Sequence, residues 1–358
     1  MKDSFATAMG RALDLTRAGA PMEATRLIQQ TLGRSLPESA ATPPATPPKR
    51  RPPLSAVVDA VASARKGRAR APAKAPAIPE GASYEARVHA CAFGERGYRL
   101  FHPSPRGAAP AGLLLMLHGC TQDADDFALG TQMNRVAEAN NLVVIYADQS
   151  RAANQMGCWN WFRPQDQRRD QGEPALLADL ARQVAQEAGV ARDRIFAAGL
   201  SAGGAMAAIL GQTHGDVFAA IGVHSGLAAG SASDMGSAFA AMRNPPLPAG
   251  RKGGAVRSIV FHGSADTTVV PANGDAVIRD AIGAQPHSEI TDRSASGSTV
   301  TLFRDQSGAV LAEKWSVEGL GHAWSGGSPA GSYTNPAGPD ASAEMVRFFL
   351  ACQTEEKS

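Results

Sequence analysis

The chain has 358 residues, 44% of them hydrophobic, and a formal net charge of +2. That length fits one large domain with an appendage, or two domains, and no apolar run of about 18 residues is present to span a membrane. The charge is uneven: residues 1–80 carry 13 Lys and Arg against 6 Asp and Glu, and the remainder carries 22 against 27.

Residues 1–34 place Phe5, Met9, Ala12 and Leu13, then Ala24, Leu27, Ile28 and Leu32, at helical spacing. Gly19 ends one helix and Pro21 opens the next, which predicts a short helical hairpin. Charges at Arg11, Asp14 and Arg17 interrupt this segment, so it does not read as a secretory signal and the expected location is the cytoplasm. Residues 35–80 are rich in Pro, Ala and basic side chains, the composition of an extended flexible linker.

Residues 81–358 read as the catalytic domain. Two strands flank a Gly-containing turn in "RVHACAFGERGYRLFHP". Apolar strands follow at 112–119, 142–148, 194–201, 218–226 and 258–266, with helices near 133–139, at 174–188 and from 202 onward. Continuous apolar strands alternating with helices predict an α/β fold, a mostly parallel central sheet with helices on both faces. Residues 299–319 alternate around Gly308 as a late hairpin, and a helix over 341–350 closes the domain.

Chemistry in such a sheet collects where strands reach their carboxyl ends. Three groups stand at such ends in the order Ser201, Asp266, His322, the chain order of the α/β-hydrolase triad. Ser201 lies in "GLSAGG", between a strand and a helix, where Gly199 and Gly203 let the two elements nearly touch. A serine hydroxyl needs a base at neutral pH. Of eight histidines, His322 alone sits in a Gly-flanked loop near the C-terminus, after every parallel strand. Asp266 would hold its tautomer and stabilise the imidazolium. Asp148 is a competing acid, but it precedes the serine, and Ser225 in "VHSG" lacks the preceding glycine. The oxyanion hole is expected from the backbone N–H groups of Ala202 and Cys120, with His118 ordering the loop.

Taken together, "LLLMLHGCTQDADDFA", "ANQMGCWNWF", "GLSAGGAMAAILG", "VFHGSADTTV" and "GLGHAWSGG" resemble the poly(3-hydroxybutyrate) depolymerase family of serine esterases over roughly residues 85–351. That family includes feruloyl and acetylxylan esterases. The resemblance implies nucleophilic attack by Ser201, assisted by Asp266 and His322, on an ester of a polyester, an oligomer or a small acyl group. It implies a disulfide between Cys120 and Cys158; two buried thiols are the alternative that a reducing cytoplasm favours. It implies that Trp159, Trp161, Phe162 and Trp324 line the substrate groove, with ordinary packing as the alternative for each. Secreted members of the family make an extracellular location the alternative to the cytoplasm. The basic, amphipathic residues 1–80 suggest attachment to a polymer granule. A non-catalytic granule-binding adaptor and a peptidase are weaker readings. No cofactor, metal or nucleic-acid partner is expected, because no dinucleotide fingerprint or metal-ligand spacing is present and basic charge gathers only in the linker.

Overall fold

The structure, a computed structural model, describes residues 76–246 and 256–351. The hairpin expected over 1–34, nearly all of the linker over 35–80, and Cys352 lie outside the described residues. The first described strands, β1 (Ser83–Cys91) and β2 (Gly94–His102), pair antiparallel on either side of a tight turn. β3 (Gly112–Leu117) and β4 (Leu142–Ala147) are buried along their whole lengths, as strands covered on both faces must be. Between them lie α1 (Ala124–Thr131) and α2 (Met133–Asn140). Asp123 caps α1 by accepting from the Asp126 N–H at 2.8 Å.

α3 (Gly172–Glu187) leads to β5 (Ile195–Leu200), which turns through Ser201 into α4 (Ala202–Thr213). β6 (Ala220–His224), α5 (Met235–Arg243), β7 (Arg257–Gly263) and α6 (Ala272–Ile282) continue the series. β8 (Ser288–Arg293), β9 (Thr299–Arg304) and β10 (Val310–Val317) finish the main sheet. A two-stranded sheet joins β11 (Trp324–Ser325) to β12 (Thr334–Asn335), and α7 (Ala341–Leu350) closes the described domain.

The ten strands run in the order β1-β2-β4-β3-β5-β6-β7-β10-β9-β8. The six from β4 to β10 are mutually parallel, with antiparallel strands at both ends. The expected late hairpin exists as β9–β10, but β10 also pairs parallel with β7 and so belongs to the central sheet. Edge strand β8, "SEITDR", is exposed throughout and carries no apolar alternation that would announce it. Alternate residues of β3 feed two cores. Leu113, Leu115 and Leu117 pack with α3, α4 and α6, whereas Leu114 and Met116 pack with α1, α2 and α7.

The chain leaves β3 toward β4 on one side and returns to β5 on the other. The carboxyl ends of β3 and β5 therefore flank a topological switch point, where a crevice opens in sheets of this kind. Helix α4 is pressed against that point. A Cβ on Gly203 would overlap the carbonyl oxygens of Leu117 and His118, and one on Gly199 would overlap the Gly203 carbonyl. Gly203→Ala is expected to cost about 3 kcal/mol or more of stability in denaturant titrations. Gly97→Ala, whose new Cβ would meet nothing within 4 Å, should stay within about 0.5 kcal/mol of the parent.

Candidate active site

Ser201 adopts φ 56° and ψ −118°, a backbone region that favours glycine. Its N–H donates to the His224 carbonyl at 2.9 Å, and its carbonyl accepts from the Ala205 N–H at 2.9 Å. These bonds hold the serine at a sharp bend over the sheet edge. The Ala202 N–H opens α4, where no carbonyl one turn earlier exists to accept it. Of the seven non-glycine residues with positive φ among the described residues, four surround this crevice: Thr121, Ser201, Ser225 and Tyr333. Such strain persists only where the surroundings over-determine it.

The loop after β3 comes up beside the serine. A Cβ on Gly119 would lie 3.6 Å from the Ser201 Cβ, in ordinary contact, so the two residues are neighbours. Cys120, the next residue, is disulfide-bonded to Cys158. The Thr121 N–H donates to the Met156 carbonyl at 3.1 Å, which ties the same two loops a second time. Beneath them lies a buried polar network. The His118 Nε2 accepts from the Gln149 N–H at 3.0 Å, and its Nδ1 donates to the Gly119 carbonyl at 2.8 Å. Gln149 donates to the Cys158 carbonyl at 2.9 Å, and Glu173 accepts from the Asn160 N–H at 2.8 Å. Burial holds the Glu173 carboxyl above its usual pKa, although the Gln149 and Asn160 bonds favour its charged form. His118 thus orders the loop, as expected.

The residues expected as acid and base meet. His322 Nδ1 donates to Asp266 Oδ2 at 2.7 Å. The other carboxylate oxygen of Asp266 accepts the N–H groups of Thr268 and Val269, each at 2.9 Å. Burial pushes the Asp266 carboxyl up, but the His322 bond and charge, the Val269 N–H and His262 outweigh it and leave the pKa below the usual value. The two loops are laced together by Ser264 N–H to the Val317 carbonyl at 2.9 Å and Ala265 N–H to the Leu320 carbonyl at 3.0 Å. Among the described residues the Ser201 hydroxyl has no hydrogen-bond partner. Asp148 lies instead near His118, at 3.6 Å from its Nε2.

The aromatic groove walls are a correction. Trp159 and Trp324 are both 0% exposed, and Trp161 and Phe162 are buried against each other edge to face. Trp159 donates to the His118 carbonyl at 3.1 Å and so props the loop bearing Cys120 from below. Trp324 stacks on the His224 ring and meets Phe127 edge to face. Tryptophan next to a catalytic block reads equally as wall or prop in sequence, and here the packing demand of the loops prevails. The exposed apolar side chains near the crevice are Met156 and Tyr333, at 42% and 47%. The Tyr333 hydroxyl lies 3.4 Å from the Thr121 hydroxyl, across 212 positions of sequence. No sequence pattern marked either residue.

His224 and His262 were missed for the same reason, since each simply ends or nearly ends an apolar strand. His262 Nε2 donates to the Val269 carbonyl at 2.8 Å and sits 3.6 Å from Asp266 Oδ2. A metal-competent trio also escaped the sequence reading. His89 and Cys91 of β1 and Asp179 of α3 bring ligand atoms within 4.8 Å of one another, with His89 Nε2 hydrogen-bonded to Asp179 at 2.8 Å. A cleft of about 450 Å³, lined by Arg182, Gln186, Ile195 and Asp216 among others, lies at the amino end of β5, away from Ser201.

The family model for esterase PHB depolymerases matches residues 97–301. A poly(3-hydroxyalkanoate) depolymerase C from Paucimonas lemoignei is 28% identical over 63% of this chain and 58% of its own length. A poly(3-hydroxybutyrate) depolymerase from Ralstonia pickettii is 29% identical over 67% of this chain and 53% of its own length. The chain therefore spans little more than half the length of these two relatives. An acetyl xylan esterase from Aspergillus awamori superposes over 75% of this chain and 100% of its own, with a TM-score of 0.60 at 17% identity. That likeness shows the α/β-hydrolase fold.

Two outcomes follow from the geometry. Asp266→Asn should slow labelling of the protein by a fluorophosphonate by about 10³-fold or more, because the wrong imidazole tautomer then faces the serine. An unchanged labelling rate would remove Asp266 from the site. Cys158→Ser should lower stability to denaturant by about 2–4 kcal/mol, the effect of opening a loop of this length.

Proposed function

The chain belongs to the esterase PHB depolymerase family, and from that premise we propose that it hydrolyses carboxylic esters through an acyl-enzyme on Ser201. The observation that carries this reading is the Asp266–His322 hydrogen bond of 2.7 Å, formed after the carboxyl ends of β7 and β10, the same end of the parallel strands at which β5 turns through the strained Ser201. His322 Nε2 takes the hydroxyl proton as Ser201 Oγ attacks the ester carbonyl. The oxyanion of the tetrahedral intermediate is received by the N–H groups of Cys120 and Ala202. Collapse expels the alcohol, which leaves with the proton from His322. Water, deprotonated by the same imidazole, then attacks the acyl-enzyme and releases the acid.

The substrate class that fits is a short hydroxyacyl ester, as polymer, oligomer or small ester. The curated relatives act on polymers of this kind by name, and Met156 and Tyr333 offer exposed apolar surface beside the Cys120 loop. We also place polymer attachment in residues 1–80, on their excess of 7 positive charges and apolar helical pattern. The Cys120–Cys158 bond favours an oxidising compartment over the cytoplasm read from the N-terminal segment. Among the described residues no helix is long and apolar enough to cross a membrane.

Ser201→Ala should abolish release of p-nitrophenol from a short-chain p-nitrophenyl ester; full activity in this variant would refute the assignment. A panel of hydroxybutyrate oligomers, amorphous polymer, feruloyl esters and acetylated xylan sets the substrate class, with the highest kcat/KM expected on the oligomers. Deleting residues 1–80 should depress hydrolysis of amorphous polymer but not of soluble esters, and equal effects on both would sink the attachment role.

A further inference from the structure

His224 ends β6 in the "VHSG" stretch that carried no role in the sequence reading. It is fully buried, yet it touches both halves of the candidate machinery. Its carbonyl accepts the N–H of Ser201 at 2.9 Å. Its ring Nε2 accepts the N–H of Ser325 at 3.0 Å, three residues beyond His322. Because Nε2 accepts, the neutral ring carries its proton on Nδ1, which donates to the Ser225 hydroxyl at 3.2 Å. The ring plane is fixed by stacking on Phe261 at 5.7 Å and on Trp324 at 5.2 Å. Burial keeps this imidazole neutral by lowering its pKa well below the usual value, which preserves the acceptor that Ser325 needs.

We propose that His224 is a positioning residue that sets the distance between Ser201 and His322, by bonding the serine backbone through its carbonyl and the base-bearing loop through its ring. The inference rests on the serine-hydrolase reading above. The geometry explains why a histidine stands here. An apolar residue of similar size would fill the space but leave the buried Ser325 N–H without an acceptor, and the loop would shift to find one. A loop shift of about 1 Å is enough to cost on the order of 10²-fold in rate. Ser225 adopts φ 49° directly after the ring, so the backbone is held in a bend that keeps both bonds aimed.

The test compares three substitutions by kcat and KM on a p-nitrophenyl ester and by fluorophosphonate labelling rate, with folding monitored by circular dichroism and thermal unfolding. In His224→Gln the amide oxygen reaches the Nε2 position and still accepts from Ser325. In His224→Asn the amide reaches only the Nδ1 position. His224→Phe keeps the stacking and the backbone bond to Ser201, and loses the ring's bonds to Ser325 and Ser225. The expected result is kcat within about 5-fold of the parent for H224Q, and a loss of about 50-fold or more for H224N and H224F, with KM within about 2-fold throughout. Ser325→Pro removes the donor without touching His224 and should lose at least 10-fold more kcat than Ser325→Ala, which loses only the hydroxyl bond to the Pro339 carbonyl at 2.8 Å; this pair carries the test if the His224 variants fail to fold. A folded H224F or S325P with kcat within 2-fold of the parent would overturn the proposal, as would equal losses in H224Q and H224N. These outcomes are separate from failure of the underlying reading, in which the parent protein itself would neither label nor turn over.

Discussion

The close approach of α4 to the end of β3 is the constraint on which the site depends. Gly203 stands where any side chain would overlap the Leu117 and His118 carbonyls, and Gly199 stands where one would overlap Gly203. Only glycine lets the helix start this near the strand. The near contact forces Ser201 into its strained bend, aims the first N–H groups of α4 over the crevice, and brings them beside the loop that carries Cys120. The two N–H groups proposed as oxyanion donors come from the two elements that meet at this contact, far apart in sequence. The strain at Ser201 is supported by its bonds to His224 and Ala205, so the nucleophile is held by backbone rather than by its own side chain.

Two buried assemblies hold the surrounding loops. One is a column of rings. Trp315 stacks on Phe261, Phe261 on His224, and His224 on Trp324, which meets Phe127 edge to face, with successive centroids 5.1–5.7 Å apart. It runs from β10 through β7 and β6 to the His322 loop and α1, and so couples the base loop to the sheet. The other is the polar network of Arg96, Gln149, Asn160 and Glu173 under the Cys120 loop. Its carboxylate and guanidinium lie in the interior, where each is tolerable only with hydrogen-bond partners. The Cys120–Cys158 bond adds a covalent tie above this network.

Burial shapes the electrostatics around Asp266. Three histidines gather around Asp266: His322, His262 and His224. Burial first and foremost lowers the pKa of His262 and His224. Asp266 remains ionised below the ordinary carboxylate range, so its stabilising bonds are present above its unfolded pKa and weaken only as the pH falls through its lower folded value.

Strand order and site chemistry differed in how far they could be read from the residues. The apolar runs of β3 to β7, the Gly-flanked Ser201, and Asp266 and His322 at later strand ends were legible, because burial on both faces and tight turns leave local compositional marks. The family blocks made Cys120 and Cys158 legible as a pair. Edge strand β8 was not, since a solvated strand needs no apolar pattern, and β10 revealed its place beside β7 only through pairing. Trp159 and Trp324 carried the same letters whether they walled a groove or propped a loop, and only the packing around them made them props. His224, Met156 and Tyr333 gained meaning through contacts with residues distant in the chain, including one made across 212 positions. Local sequence sets which backbone turns are allowed, whereas the company a buried side chain keeps is a property of the assembled fold.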